Sequence, residues 1–513
     1  MRVSGTGHAG MRIDTPAASI LCDPWVNPAF FASWFPFPDN SHLDWETLGR
    51  ADYLYISHLH RDHFDADHLR RFVSKQATVL LPDYPTSELE VELRELGFSS
   101  FVRTRSNEPV ALGDGLTIMI QALTSPTDGP IGDSSLWVEH DGIRLLNQND
   151  ARPADLTEFA KLGHVHAHLL QFSGAIWYPM VYESPAATRN ALGKRKRSRQ
   201  IDRTIRYIDD IKASWVFPIA GPPCFLDEEL WTFNDLGADE ANTFIDQQVF
   251  IDLYHGRGHA NGVILLPGSE AELTENECTV KHPVSDVRQF FDHKQDHLLA
   301  YRERQRPVIE AEKGSWRHPG VDVYRMLKRR LEPLLDESTY LAEHVDGPVL
   351  LDLLDNDGKS VESLLIDIPA RQVRRHVDEE VSYRFTTKRT LIEHLLHTGE
   401  ADWVNSLFLS CRFSAKRHGP YNEAVFAFFK CLSRERMQYA EGWYTEQQPD
   451  AEDVTLDGWV VQRRCPHLKA DLSRFAVIDG NVLTCQMHGW QFDLDTGQCL
   501  TSTDHEIRAG HSD

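Results

Sequence analysis

Apolar residues fall in short bursts through the first half of the chain: Ala77-Thr78-Val79-Leu80-Leu81, Leu116-Thr117-Ile118-Met119-Ile120, Leu136-Trp137-Val138 and Trp215-Val216-Phe217-Pro218-Ile219. Turn clusters and helix-like stretches separate them. This ordering over residues 1–265 predicts a sheet sandwich flanked by helices, an α/β architecture of αββα type. The period then changes. Val287 to Arg306 and Tyr324 to Leu335 repeat apolar positions at helical spacing, so 266–445 is expected to be a mainly helical extension packed on the first domain. Residues 446–453 are polar and aperiodic and read as a linker. Residues 454–513 remain for a small all-β domain, short enough to lean on the rest of the protein. No internal repeat or low-complexity tract interrupts this order.

Composition narrows the class. The chain has 513 residues, 41% of them hydrophobic and 25% charged, which is globular and long enough for large cores. No apolar run approaches the roughly 20 residues of a membrane span, and no signal-like amino terminus is present, so a cytoplasmic protein without membrane partners is expected. The net charge of −24 disfavours nucleic acid as partner. Lys194-Arg195-Lys196-Arg197-Ser198-Arg199, with Arg203 and Arg206, runs the other way. It is either a solvated face or a patch for a phosphorylated substrate or an acidic electron donor. Cys22, Cys224, Cys411 and Cys431 sit in apolar surroundings as buried thiols, and Cys278 and Cys499 have no evident role. Nothing in their spacing suggests a disulfide framework.

Two remaining cysteines belong to a motif. Cys465-Pro466-His467 is followed after seventeen residues by Cys485-Gln486-Met487-His488. Two thiolates and two imidazoles at this spacing suit a Rieske [2Fe–2S] cluster, and a tetrahedral zinc uses the same ligand types. The flanks Gly458 to Arg464 and Gly489 to Gly497 resemble the two cluster-bearing hairpins of Rieske proteins. Neither loop carries a further cysteine, so the pattern resembles the oxygenase or ferredoxin type.

A second motif lies near the amino end. Asp52-Tyr53-Leu54-Tyr55-Ile56 runs into Ser57-His58-Leu59-His60-Arg61-Asp62-His63, four metal-competent side chains in six residues. At a strand-to-turn passage His58 and His60 share a face, and Asp62 and His63 can turn back over it. With Gly7-His8-Ala9-Gly10 and Ile20 to Trp25, the motif resembles the metallo-β-lactamase fold. Within that resemblance Asp150 occupies the place of an acidic ligand. The loop Leu123 to Ser135 and the late segment Pro218 to Phe225 carry no histidine, which favours a single metal. Asp128 and Asp133 are both open as substitutes. His8 is expected as a buried hydrogen-bonding histidine, and His164, His166 and His168 as surface or packing residues, His168 being nearest the pocket.

Taken together, the chain resembles the nucleotide-sugar N-acetyl hydroxylases. Asp23-Pro24-Trp25, Tyr53 to His63, Leu146-Asn147 with Asp150 and Arg152-Pro153, and Ser173-Gly174-Ala175 with Pro179-Met180 carry the likeness to CMP-N-acetylneuraminate hydroxylases. Asp23 to Ala29, Phe35 to Asn40, Gln171 to Tyr182, Ala220 to Phe225 and Arg464 to Leu472 resemble, in order and nearly full length, the bacterial UDP-N-acetylmuramate hydroxylases. The resemblance implies conversion of an N-acetyl to an N-glycolyl group, UDP-N-acetylmuramate being the first expected substrate and another nucleotide sugar the second. It further implies a Rieske cluster on Cys465, His467, Cys485 and His488. O₂ and an external reductant are implied with it, NAD(P)H acting through a reductase or ferredoxin. The residues themselves favour a non-haem iron on His58, His60, Asp62, His63 and Asp150, because hydrolysis would leave an electron carrier idle. Arg152, Lys194, Arg195 and Arg197 are the candidate contacts for the anionic substrate. Two other classes compete. One is a metallohydrolase of a nucleotide or phosphorylated substrate with a redox-sensing Rieske domain, marked by zinc and O₂-independent turnover. The other is an electron carrier whose amino-terminal domain is a docking scaffold, marked by loss of metal binding there.

Overall fold

The computed structural model describes residues 1–174, 176–237, 239–445, 453–466, 470–487, 489–502 and 505–512. The chain divides into two compact units. The first comprises residues 1–124, 128–175 and 200–307, and the second residues 125–127, 176–199 and 308–513.

The first unit is built on two sheets. Strands β1 (Arg2–Gly7), β2 (Gly10–Asp14), β3 (Ser19–Cys22), β4 (Tyr53–Tyr55), β5 (Thr78–Leu81) and β6 (Phe101–Arg103) belong to one. Strands β7 (Val110–Gly113), β8 (Leu116–Leu123), β9 (Asp133–His140), β10 (Ile143–Asn149), β11 (Ala167–Gln171) and β12 (Trp215–Ile219) make the other. Two further strands, β13 (Glu270–Leu273) and β14 (Cys278–Lys281), extend the first sheet to the order β14-β13-β1-β2-β3-β4-β5-β6. Side chains alternate between two cores, as pleated strands require. Ile20, Cys22, Tyr55 and Leu80 meet Ile118, Leu136, Leu145, Leu169 and Phe217 from the second sheet. Leu21, Leu54, Val79 and Leu81 point the other way, onto Leu69 of the helix Ala66–Phe72 and Leu89 and Leu93 of the helix Glu88–Glu95. Burial on both faces explains the near-continuous apolar runs of β3 and β5. The result is the αββα sandwich expected from the first half of the sequence.

Beyond 265 the sequence reading needs correction. β13 pairs antiparallel with β1, so the first unit continues past the boundary drawn at 265. Glu270-Ala271-Glu272-Leu273 alternates polar and apolar as an edge region does, and four residues are too few to stand out against helical surroundings. The stretch from Val287 forms two helices, Val287–Asp292 and Lys294–Ser315, and the helix Val323–Glu337 buries Val323, Leu327, Leu331, Leu334 and Leu335 along one stripe. Past that helix the chain is not mainly helical. Strands β15 (Val349–Leu354), β16 (Ser360–Asp367), β17 (Gln372–Arg375), β18 (Tyr383–Lys388) and β19 (Phe413–Arg417) form a five-stranded mixed sheet in the second unit. Its strands are recruited by pairing between distant segments: β15 lies parallel to β18, and β18 antiparallel to β19.

The carboxyl-terminal part of the second unit holds two three-stranded sheets. One joins β20 (Asp453–Leu456), β21 (Trp459–Gln462) and β25 (Ala509–His511), the other β22 (Ala476–Asp479), β23 (Val482–Cys485) and β24 (Trp490–Asp493). Most of the linker read at 446–453 lies outside the described residues. No helix among those described is long and apolar enough to cross a membrane.

Candidate metal centre

The first sheet delivers the metal-competent residues where β4 ends. Ile56 is still core, and the chain then turns over Ser57 to His63 into the helix Ala66–Phe72. Asp65 caps that helix by accepting from His68 N, and its carboxylate also accepts from Val26 N (3.0 Å) and Asn27 N (2.7 Å). This ties the loop after β3 to the loop after β4.

Asp23, fully buried, organises the turn. It accepts from Ser57 N and Ser57 Oγ, both at 2.7 Å, and lies 3.1 Å from His63 Nδ1. Holding the Nδ1 side of His63 leaves its Nε2 facing inward, which is how an outer carboxylate orients a ligand histidine. The β10 strand supplies the opposing acid. Its register against β11 shifts between Asn147 and Asn149, and Asn149 takes a positive φ of 38°. That irregularity turns Asp150 out of the strand, as β-bulges do beside functional sites.

Two triads result. His58, His60 and Asp150 each offer a ligand atom within 4.8 Å of the others, and so do His8, Asp62 and His63. All are buried except His60, which is partly exposed. Within the first, His58 Nε2 approaches His60 Nδ1 to 2.7 Å. Within the second, His8 Nε2 lies 2.9 Å from Asp62 Oδ2 but out of line for a hydrogen bond. His63 Nε2, 3.7 Å from Asp150 Oδ2 and 3.9 Å from Asp62 Oδ2, links the two sets. Burial pushes the Asp62 carboxyl up, but His63, His8 and His60 overcome it and hold it at about 2. Burial disfavours a charged His63, yet Asp150 and Asp62 raise it well above the ordinary histidine range. Asp133 is raised in turn by burial and by Asp150. Imidazoles and carboxylates in this mix suit a first-row metal such as iron, and the buried, unpartnered Asp62 Oδ1, His63 Nε2 and Asp150 Oδ1 fit that role.

Of the two candidate substitutes, Asp133 reaches the centre from behind: its Oδ1 is 3.4 Å from His58 Nδ1. Asp128 is in neither triad. Tyr84 donates to Ser57 O, and Ser134 Oγ donates to the same carbonyl at 2.7 Å. His168 stays in the core on Gln148 Oε1 (2.9 Å), and burial lowers its pKa to about 3. Arg152 donates to Gln171 Oε1 at 2.8 Å, two residues beyond Asp150. Lys194, Arg195 and Arg197 lie on the helix Ala186–Ile211, in the part counted with the second unit. Sequence reasoning left Asp133 open beside Asp128, read His8 as a buried hydrogen-bonding histidine rather than a member of a metal-competent triad, and missed Asp23 as the carboxylate behind His63. The only signal for His8 was its place between glycines in Gly7-His8-Ala9-Gly10.

In the second unit Cys465 and Cys485 are both buried, one beyond β21 and the other closing β23. Cys465 N donates to Ala470 O at 2.9 Å, and Gly489 N to Cys485 O at 2.8 Å. Arg199 donates to Gly489 O at 3.1 Å, placing a guanidinium against the second loop. His467 and His488 lie outside the described residues.

Comparison with known proteins gives this arrangement its family. Residues 452–507 match the Rieske [2Fe-2S] domain, and residues 323–446, which include the five-stranded sheet, match the Rv3818-like, SCP2-like domain. A protein of Mycolicibacterium smegmatis named for a Rieske 2Fe-2S iron-sulfur centre is 49% identical over 520 residues, covering 99% of each chain. The chain belongs to this family of mycobacterial Rieske proteins. Over a shorter span, 43% of this chain and 38% of the other, it is 26% identical to the cytidine monophosphate-N-acetylneuraminic acid hydroxylase of Xenopus laevis. Among solved structures, the diiron β-hydroxylase CmlA of Streptomyces venezuelae aligns over 52% of this chain and 53% of its own, at 19% identity and a TM-score of 0.35.

Proposed function

We propose that this protein is a Rieske-dependent monooxygenase that hydroxylates the N-acetyl group of a nucleotide-linked sugar, with UDP-N-acetylmuramate as first substrate. The observation that carries the reading is a buried histidine–carboxylate centre on a chain that also holds a Rieske domain. A hydrolytic metal makes hydroxide and needs no electrons, whereas hydroxylation of a methyl group needs two. The balance is one C–H, one O₂, two electrons and two protons giving one C–OH and one water. A cluster held by Cys465, His467, Cys485 and His488 passes electrons singly, and a reductase or ferredoxin oxidising NAD(P)H supplies them. The 26% likeness to a hydroxylase of a nucleotide-linked N-acetyl sugar supports the substrate class.

Iron at His58, His60, Asp62, His63 and Asp150 would supply O₂ activation. The chain's own residues do the rest. Asp23 holds the ring of His63 from behind, and Ser57 Oγ, 2.8 Å from His58 Nδ1, holds that of His58, with Asp133 3.4 Å from the same nitrogen. His60, the partly exposed member, marks the side from which substrate reaches the centre. Arg152, held by Gln171, is the proposed contact for a phosphate or carboxylate, and anchoring so large a handle would steady the small acetyl group.

Incubation with each sugar nucleotide, a reductase system and ¹⁸O₂ tests the reading. One labelled oxygen should appear on the acetyl group. Label from water, free acetate or turnover without O₂ would instead establish the metallohydrolase reading, which paired triads also suit.

A further inference from the structure

The basic run from Lys194 to Arg199 is not one uniform face. It lies on the helix Ala186–Ile211, whose residues up to Arg199 belong to the second unit. Arg195 is exposed, whereas Arg199, one helical turn on, is partly buried and reaches the second cysteine loop of the same unit. That loop is closed by Gly489 N donating to Cys485 O at 2.8 Å and anchored by Gln486 N donating to Phe475 O at 2.7 Å. Gly489 O, one residue beyond His488, then accepts from Arg199 Nη1 at 3.1 Å. The approach requires glycine. Gly489 has a φ of 77°, and a Cβ there would lie 2.9 Å from Arg199 Nη1.

Keeping a cation here is unfavourable. Burial, and then the like charge of Arg195 one turn away, lower the Arg199 pKa from its ordinary range, though an arginine stays charged near neutrality. Among the described residues no carboxylate pairs with it. Charges taken out of water are normally paired, so a counter-charge that the side chains do not supply is called for. Cys465 and Cys485 are unlinked thiols, each 1% exposed, within the stretch that matches the Rieske domain, and they fit the thiolate half of such a cluster. With two thiolates and two neutral imidazoles, the oxidised cluster has no net charge, and one added electron makes it negative. We propose that Arg199 is a positioning residue that clasps the second cluster loop and, through its fixed positive charge, raises the cluster's reduction potential. Uptake of one electron from the external donor converts one iron(III) to iron(II) and places a negative charge beside the guanidinium; no bond forms or breaks. Net charge and hydrogen bonding around a cluster are what set its potential. Arg199 lies outside residues 452–507, so the matched domain alone does not contain this charge. The potential is tuned in this way whichever reaction the first unit performs.

Redox titration of the full-length, cluster-loaded protein, followed by visible absorption and EPR, tests the proposal. Arg199→Gln keeps an N–H donor for Gly489 O but removes the charge. Its midpoint potential should fall below that of the wild type, with the visible absorption of the oxidised cluster unchanged. Arg199→Lys restores the charge on a different donor and should recover most of the lost potential. A potential in Arg199→Gln equal to the wild type overturns the proposal, and so does a fall in Arg199→Lys as large as that in Arg199→Gln. Loss of the cluster's absorption from Arg199→Gln, alone or together with Arg199→Lys, would leave a structural clasp only and overturn it as well.

Discussion

Single side chains behind the centre matter as much as those facing it. Asp23 touches no open position, yet it receives two hydrogen bonds from Ser57 and holds His63 by Nδ1. Asp23→Asn keeps the shape but replaces an acceptor oxygen with a donor, so the His63 ring loses its orientation. Carboxylates behind a ligand histidine are typically worth about 10–100-fold in metal affinity. Titration of Asp23→Asn with iron(II) or manganese(II) should show a loss of that order, with the cluster's absorption unaffected. Affinity equal to the wild type would mean that the turn is held by its backbone alone.

At the scale of elements, the centre depends on neighbouring strand ends staying in register. β3 and β4 pair in parallel, and Asp52 pins them by accepting from Ser19 N and Ser19 Oγ, both at 2.8 Å. Those hydrogen bonds hold the Asp52 carboxyl below its usual value of 3.8, against a smaller opposing effect of burial. A carboxyl with a depressed folded pKa contributes stability that is present above the unfolded pKa and lost as pH falls through the folded one. Asp52→Asn should therefore be less stable than the wild type near neutrality, and the difference should shrink as pH drops below about 3.8. Thermal melting from pH 7 to 3 measures it; a difference independent of pH would assign the effect to geometry. The five-stranded sheet makes a related point about elements. Helical spacing revealed Val323–Glu337, but the sheet beyond it is defined by partners far apart in the chain, such as Val349 with Tyr383.

For the molecule as a whole, loading and turnover should separate. Cys465 and Cys485 are buried in the second unit, whereas both triads belong wholly to the first. Cys465→Ser should abolish the cluster's absorption and steady-state product formation with an external reductant, while metal content at the His58 centre stays at the wild-type level. Undiminished turnover without the cluster would remove the reason for reading the protein as an oxygenase.

How much the chain announces by itself depends on how local each feature is. The His58–His63 cluster, the cysteine pairs, the alternating apolar strands and the helix from Val323 are written within a few residues of one another, so spacing alone identifies them. His8 and Asp62 are more than fifty residues apart and meet only because β1, β2 and β4 join one sheet. Asp150 faces the centre because a shift in register turns it there, and Asp133 faces His58 through folding rather than proximity. The described strands after 265 divide among four sheets according to their partners, β13 joining β1 in one unit and β15 joining β18 in the other. Ligand type was a property of the sequence. Which metal-competent side chains stand together was decided by tertiary structure, because coordination would require atoms within a few ångströms and only the fold brings distant segments that close.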